Sequence, residues 1–545
     1  MRIEGEDERE RNFWGWGYAD RFPDAEARRA LGAQVGAMLG RDPLEPREPP
    51  RLDAITLPPP RVAPPAALAA LGSTAPRDRI THTYGRSYRD VVRGFRGDFD
   101  AAPDFVAYPG TEDDIAALLA WCAEARVAAV PYGGGTSVVG GVELRAEAPY
   151  RGVVCLDLRR LDRVLEVDPT SRAARVQAGA RGPAIEAQLA PHGLTLRHYP
   201  QSFEHSTVGG WIATRAGGHF ATLHTHIDDF VESLRMITPA GVYATRRLPA
   251  SGAGPSPDRL ALGSEGILGV ITEAWLRVQA RPRYRASASA RFARFEDGVA
   301  AARALAQSGL HPANCRLLDR TEALLGGVGG VAGSGEAVLL LGFESADHPL
   351  GPWIDRALAL AADHGGACPE GPKLRDEGER GATAAAATWR ESFFQAPYLQ
   401  TALVSLGVIA DTFETACTWD RFEALHAAVG AAVRGAMQEA CGAGVLACRF
   451  THVYPDGPAP YYTFVAPGQT GDELAQWARI KRAASDAILA AGGTITHHHA
   501  VGRLHRPWYD EERPEPFALA LQAAKRALDP AGIMNPGVLV DPAGR

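Results

Sequence analysis

Pro131-Tyr-Gly-Gly-Gly-Thr-Ser-Val-Val-Gly-Gly141 is the stretch on which the fold turns. Three consecutive glycines leave a backbone without Cβ atoms, whose N–H groups can converge on an anion from conformations that other residues avoid. Upstream, FVAYP (105–109) reads as a strand. Thr111 to Asp114 reads as a capping box opening the helix IAALLAWCAEA (115–125), and AAVP (128–131) reads as the next strand. A strand, a helix, a strand and a glycine turn make a phosphate cradle. An ordinary tight turn is the competing reading.

The chain has 545 residues, enough for two or three domains, and a net charge of −7 with no basic stripe, which argues against nucleic acid as a partner. Seven scattered cysteines without a CxxC pair suggest reduced thiols and a cytoplasmic setting. The opening MRIEGEDERE is too charged for a signal peptide, and no apolar run approaches membrane-spanning length. Texture divides the chain into four parts. Residues 1–75 hold an aromatic cluster, one helix and a proline-dense tether; 76–283 alternate strands and helices. Residues 284–490 form a second α+β domain with alanine-rich helices, and 491–545 carry a triple histidine.

Two further segments repeat the glycine theme. PQSFEHSTVGGWIATRAGG (200–218) packs small and hydroxyl residues around two glycine pairs, and GSEGILG (263–269) runs into the strand VITEAWLRV. Such segments let backbone approach a large planar ligand. Three glycine turns within one α/β region favour a cofactor over three unrelated loops. His497-His498-His499 follows ILAAGGTIT. In extended backbone, alternate imidazoles point to opposite faces and cannot readily ligate one ion, so no metal is expected. A solvated tract and proton transfer both remain open, the latter because histidine titrates near neutral pH. Tyr461 or Tyr462 could aim a phenol into a site or simply pack in a strand. Arg316 could grip a phosphate or carboxylate or form a surface ion pair.

Together these segments resemble the vanillyl-alcohol oxidase/para-cresol methylhydroxylase (PCMH) flavoprotein superfamily, and within it the alkyldihydroxyacetonephosphate synthase family. The likeness runs from WGWGYAD (14–20) through PYGGGTSVVGG, DDFVESLRMITPAG (228–241), GSEGILGVITEA, CRLLD (315–319) and DTFETACTWDR (411–421) to THHHAVGRL (496–504). It implies an α+β fold, with a two-subdomain FAD-binding domain (76–283), a substrate or cap domain (284–490), and a C-terminal segment (491–545) completing both active site and FAD domain. By the same match, Pro131, Tyr132, Gly133, Gly134, Gly135, Thr136 and Ser137 bind the FAD pyrophosphate. Gln201, Ser202, Phe203, Glu204, His205, Ser206, Thr207, Thr214, Arg215, Ala216, Gly217, Gly263, Ser264, Glu265, Gly266, Ile267, Leu268 and Gly269 surround the rest. Thr136 stands where relatives with covalent flavin place a histidine, implying non-covalent FAD.

The family reaction exchanges the acyl group of acyl-dihydroxyacetone phosphate for a fatty alcohol through an adduct at flavin N5, with no net redox change. The resemblance gives Tyr461 the proton of the leaving acid. It gives His497, His498 and His499 the deprotonation of the substrate carbon or alcohol, and Arg316 and Gln400 the placing of the substrate. Gln400 replaces the family's phosphate-binding arginine and supplies no charge; Ala500 and His205 replace a family glycine and phenylalanine. The alternative reaction is FAD-dependent oxidation of a 2-hydroxy acid or alcohol, and a non-catalytic flavin or lipid binder is a third reading. A bacterial source, a homodimer and transient contact with a membrane surface are further expectations. There is no peroxisomal C-terminal signal.

Overall fold

A computed structural model describes residues 9–143, 147, 149–328, 337–376 and 383–541; the first eight residues of the charged opening lie outside it. The helix Glu112–Ala125 forms as its sequence dictates. Thr111 caps it in a reciprocal box with Asp114, and Ile115, Leu118, Leu119 and Cys122 form its buried face. The spacing of those four places them on one side, packed against a small sheet.

In that sheet the strands Phe105–Ala107 and Val127–Tyr132 both pair in parallel with Gly152–Asp157. The chain's last segment adds to its edge, with Ala129 donating to Ile533 O and accepting from Asn535 N. A second sheet is antiparallel, with Val164–Asp168 and Ala173–Gln177 as the hairpin read from the sequence, followed in order by Val270–Arg277, Val231–Thr238 and Gly241–Ala244. One apolar core joins the two sheets, from Ile115 and Val154 through Trp211 and Met236 to Met534.

The rest of the chain builds a seven-stranded antiparallel sheet. Its order is Lys373–Arg375, Tyr284–Phe292, Ala337–Ser345, Asn314–Leu318, Val445–Val453, Pro458–Pro467, Val408–Glu414. The helices Phe295–Gln307, Gly351–Asp363, Trp419–Cys441 and Glu473–Ala490 contribute apolar faces to the cores on this sheet.

The amino-terminal aromatic cluster staples the two halves. Trp14, Trp16 and Tyr18 are buried. Trp14 meets Phe95 edge-on at 5.1 Å, while Trp16 N donates to Thr401 Oγ1 at 2.9 Å. Phe95 belongs to the helix Tyr88–Phe95, which shares the large-sheet core with Phe413 and Trp477, and Thr401 to the helix Ala384–Ser405; on the other side Tyr18 meets His205 edge-on at 5.3 Å, against the glycine run. Among the described residues, no helix is long and apolar enough to cross a membrane.

Candidate active site

The glycine run lies directly after the strand Val127–Tyr132, pressed against the segment 205–207. A Cβ on Gly133 would overlap Thr207 Oγ1, and one on Gly134 would overlap the carbonyl of His205. Gly135 sits at φ +66°, with the Tyr132 hydroxyl where a side chain would project. These glycines are demanded by close approach as well as by turn geometry. The structure therefore brings 131–137 and 201–207 into one floor.

That floor is cationic. Arg11 donates to Gly134 O at 3.0 Å and to His205 O at 3.4 Å, and its Nε is buried without a partner. Burial first, then Arg181 and Arg86, pushes its guanidinium down to about 10. His205 is pushed down to about 3, by burial and then by Arg11, Arg181, Arg86 and Arg9. Several cations focused on a bare glycine loop, one with an unused donor, suit a pyrophosphate. The FAD expected here fits the residues present.

The remaining cofactor candidates divide. Gln201 ties the floor to the large-sheet half through a 2.9 Å bond from Nε2 to Phe393 O. Phe203 packs on Gly182, Ser206 accepts from Trp211 Nε1, Ser202 O accepts from His205 N, and Glu204 accepts from Tyr398. Thr214 and Arg215 end the helix Val208–Thr214, and Ala216 N closes it on Trp211 O. Gly263 packs on Arg215, and Gly266 on Pro131. Glu265 accepts from Val501 N and Gly502 N, at 2.9 and 2.8 Å, and burial pushes its carboxyl up to about 7. Ile267 and Leu268 point into the apolar core, and Gly269 packs on Ile237 O, so that end of the motif is scaffold. A cavity of about 1180 Å³ opens beside this framework. Its walls include Thr214, Arg215, Gly263, Ser264 and Glu265, together with Thr225, Tyr454 and His497, though not the glycine loop.

The histidine triplet is not extended, which corrects the premise that its rings must face opposite ways. Its backbone wraps around one carboxylate. Glu414, buried at the end of the strand Val408–Glu414, accepts from Thr496 Oγ1 at 2.6 Å and from the N–H groups of His497, His498 and His499 at 2.6, 3.1 and 3.0 Å. Burial alone would push this carboxyl up. The three imidazoles and the Thr496 hydroxyl outweigh it and hold Glu414 below the ordinary carboxylate range.

The curl sets the rings edge-on to one another, with centroids 5.2 Å apart for His497 and His498 and 4.7 Å for His498 and His499. Gly217 abuts His498 and His452, which ties the second glycine segment to this turn. Ring nitrogens of His452, His497 and His498 come within 4.8 Å of one another. Several are already committed: His497 Nε2 to Tyr454 at 2.8 Å, His497 Nδ1 to His498 Nδ1 at 3.0 Å, and His452 Nε2 to Gly218 O at 3.0 Å. This is a proton-sharing set. Burial pushes all three imidazoles down, favouring the neutral form.

Tyr461 stacks on His498 (5.9 Å, 18°) and meets His499 edge-on, while its hydroxyl donates to Thr412 Oγ1 at 2.9 Å. Tyr462 is core, stacked on Phe413 with its hydroxyl on His426 Nδ1. Arg449 lies 3.9 Å over the Tyr461 ring and is paired with Glu322. Arg316 is different. It is 1 % exposed, faces Trp389 and Phe393, and contacts only the ring and carbonyl of His219, both at 3.4 Å; its Nε has no partner. Burial, then Arg449, pushes it down to about 9. Among the described residues no carboxylate pairs with it.

Gln400 does not join this group. Its Oε1 accepts from Trp16 Nε1 at 2.9 Å and its Nε2 donates to Ala410 O at 3.1 Å. Sequence reasoning missed Arg11, His452, Tyr454 and the role of Glu414. Glu414 lay inside the quoted DTFETACTWDR, but nothing local says that an acid there caps a turn more than eighty residues away.

Comparison with known proteins agrees with this geometry. Residues 103–245 match the family "FAD binding domain", and 281–539 match "FAD linked oxidases, C-terminal domain". Alkyldihydroxyacetonephosphate synthase of Trypanosoma brucei brucei is 31% identical over 483 residues, 85% of this chain and 77% of the relative. The Dictyostelium discoideum synthase is 30% identical over 482 residues, again 85% and 77%. The mitochondrial D-lactate dehydrogenase [cytochrome] of Arabidopsis thaliana is 27% identical, covering 81% and 74%. A solved alkyldihydroxyacetonephosphate synthase superposes with TM-score 0.78 at 24% identity, covering 96% of this chain and 98% of that one, a likeness of fold. The protein is thus an FAD-dependent enzyme, acting by oxidation or group transfer on a small organic substrate. The chain belongs to the PCMH-type FAD-binding family that includes alkyldihydroxyacetonephosphate synthase and other FAD oxidases.

Proposed function

We propose that this enzyme replaces the acyl group of acyl-dihydroxyacetone phosphate, or a close relative of it, with a fatty alcohol. The observation that carries this reading is Arg316, a buried cation without a counter-ion beside the histidine cluster. A lone buried charge is destabilising unless a ligand completes it, so the substrate is anionic. Arg316 orients that anion. Tyr461 handles the proton of the departing acid, and the neutral imidazoles of His497, His498 and His499 accept the proton lost by the substrate carbon or the incoming alcohol. Bound FAD supplies a nucleophilic N5 and an electron sink. The glycine loop and Arg11 hold its pyrophosphate, without a covalent tether, given Thr136.

A second reading, oxidation of a 2-hydroxy acid, is favoured by Gln400. With that amide engaged by Trp16 and Ala410, one arginine faces the anion, which matches a single carboxylate. Anaerobic mixing separates the two. Ether product from acyl-dihydroxyacetone phosphate and hexadecanol supports the exchange. Bleaching of the flavin band by glycolate or D-lactate, with turnover on adding an electron acceptor, replaces it with the oxidation. Arg316→Gln should raise KM for either anion about 30-fold or more while leaving thermal stability equal or higher. An unchanged KM would remove Arg316 from the substrate.

A further inference from the structure

Two sp² ring nitrogens approach to 3.0 Å only with a proton between them, since facing lone pairs repel. The Nδ1 atoms of His497 and His498 stand at that distance. A neutral imidazole carries one N–H, so the proton in this contact fixes the other end of His497 as well. When His497 supplies it, His497 Nε2 accepts from the Tyr454 hydroxyl, 2.8 Å away. When His498 supplies it, His497 Nε2 is protonated and donates to the Tyr454 oxygen, whose own proton turns to Thr225 Oγ1 at 3.1 Å. The two arrangements differ by short hops along one line.

The line has two distinct ends. Thr225, Tyr454 and His497 reach the wall of the 1180 Å³ cavity. At the inner end, Glu414 Oε2 lies 3.6 Å from His498 Nδ1. Tyr461 is not on the line; its hydroxyl donates to Thr412 and not to the triplet.

We propose that Tyr454 is the cavity-side entrance of a proton relay, Tyr454–His497–His498, whose positive charge is offset by Glu414. The proposal rests on the reading of the triplet as proton acceptor. In the forward step a substrate O–H breaks, and its proton moves to the Tyr454 oxygen as the Tyr454 proton moves to His497 Nε2. The proton on His497 Nδ1 passes to His498 Nδ1. The bonding pair stays on the substrate oxygen as an alkoxide, and His498 becomes an imidazolium beside a carboxylate. No oxidant is consumed.

Flavin-loaded protein labelled with ¹⁵N in the histidine rings tests this by long-range ¹H–¹⁵N correlation. Tyr454→Phe should shift the Nδ1 resonances of both His497 and His498, and Thr225→Val, a milder change at the same end, should shift them in part. A His498 that stays put while His497 moves would overturn the relay. Flavin absorbance and circular dichroism confirm that each variant is folded and loaded. In turnover of acyl-dihydroxyacetone phosphate with hexadecanol, or of glycolate with a dye acceptor, Tyr454→Phe should lower kcat about 100-fold and shrink the solvent isotope effect. Unchanged kcat and isotope effect would also overturn it. Inactivity of the native protein towards both substrates would count against the proposed function alone, and the spectrum would still decide the relay.

Discussion

The glycine floor and the histidine turn solve the same problem, holding polar groups still inside a protein, by opposite means. At the floor the backbone is laid bare. Gly133 and Gly134 press against Thr207 and His205, and Arg11, Arg86 and Arg181 gather there, none of them in an ion pair among the described residues. At the turn the backbone is gripped, and one carboxylate, Glu414, takes up three successive N–H groups and a hydroxyl. The floor is left incomplete in charge, which suits a site that waits for an anion. The turn is complete in hydrogen bonds, and its carboxylate fixes where the neutral imidazoles stand. Under the proposed function, binding and chemistry are divided between a surface built from missing side chains and one built around a single added side chain.

The comparison breaks most visibly at Glu414. Glu414→Ala would leave several buried donors unsatisfied and the turn without the carboxylate that curls it, a destabilisation on the order of 3–5 kcal/mol with loss of turnover. Denaturant unfolding checks it, and a loss under about 1 kcal/mol would show that the turn holds itself. Acidification should act in the same direction. The buried imidazoles, among them His205 near 3 and His505 near 4, stay neutral in the folded state, yet in the unfolded chain they protonate at about pH 6.5. Stability is therefore lost as pH falls below about 6.5. Glu414, depressed when folded, adds a loss with the same sign below the ordinary carboxylate range. Glu265 and Asp319, raised to about 7, oppose this between about pH 4.5 and 7, but the depressed histidines outnumber them. A melting temperature constant from pH 7 to 5 would contradict this balance.

The floor should fail more gently and more selectively. Gly134→Ala sets a methyl against the His205 carbonyl, a backbone atom with little room to retreat, and costs about 1–3 kcal/mol of overpacking. With FAD held at this loop as proposed, flavin affinity should drop about tenfold or more while the apoprotein still folds. Fluorescence titration of apoprotein with FAD reads this, and undiminished affinity would mean that the loop's packing is separate from cofactor binding.

The same contrast explains what was legible beforehand. The cofactor half announces itself locally: a capping box, an i, i+3, i+4, i+7 apolar face and a glycine run are contiguous signals, and the structure has the helix, strands and turn that they specify. The chemical half is assembled from distant segments. His452 comes from one strand, Glu414 from another and the triplet from a C-terminal loop, and no spacing rule connects them. The triplet's own pattern misleads, because the alternation of an extended strand was assumed where a carboxylate curls the chain. Arg316 was visible as a residue type, but its lack of a counter-ion is a property of packing alone.

Gln400 gives the smallest effect and the cleanest separation of roles. Aligned with an arginine that binds phosphate in relatives, it was expected to touch substrate. In the structure its oxygen holds the indole of Trp16 and its nitrogen holds the carbonyl of Ala410, so it acts where the amino-terminal staple meets the large sheet. Gln400→Leu removes both bonds and leaves a buried indole N–H and a carbonyl without these partners. At about 0.5–1.5 kcal/mol per bond, the expected loss is about 1–3 kcal/mol in unfolding free energy. KM for the anionic substrate should stay within a factor of about two under the proposal that Arg316 alone meets the charge. A rise in KM with unchanged stability would reverse the assignment. It would return Gln400 to the substrate and make the Trp16 contact an arrangement that ligand binding displaces.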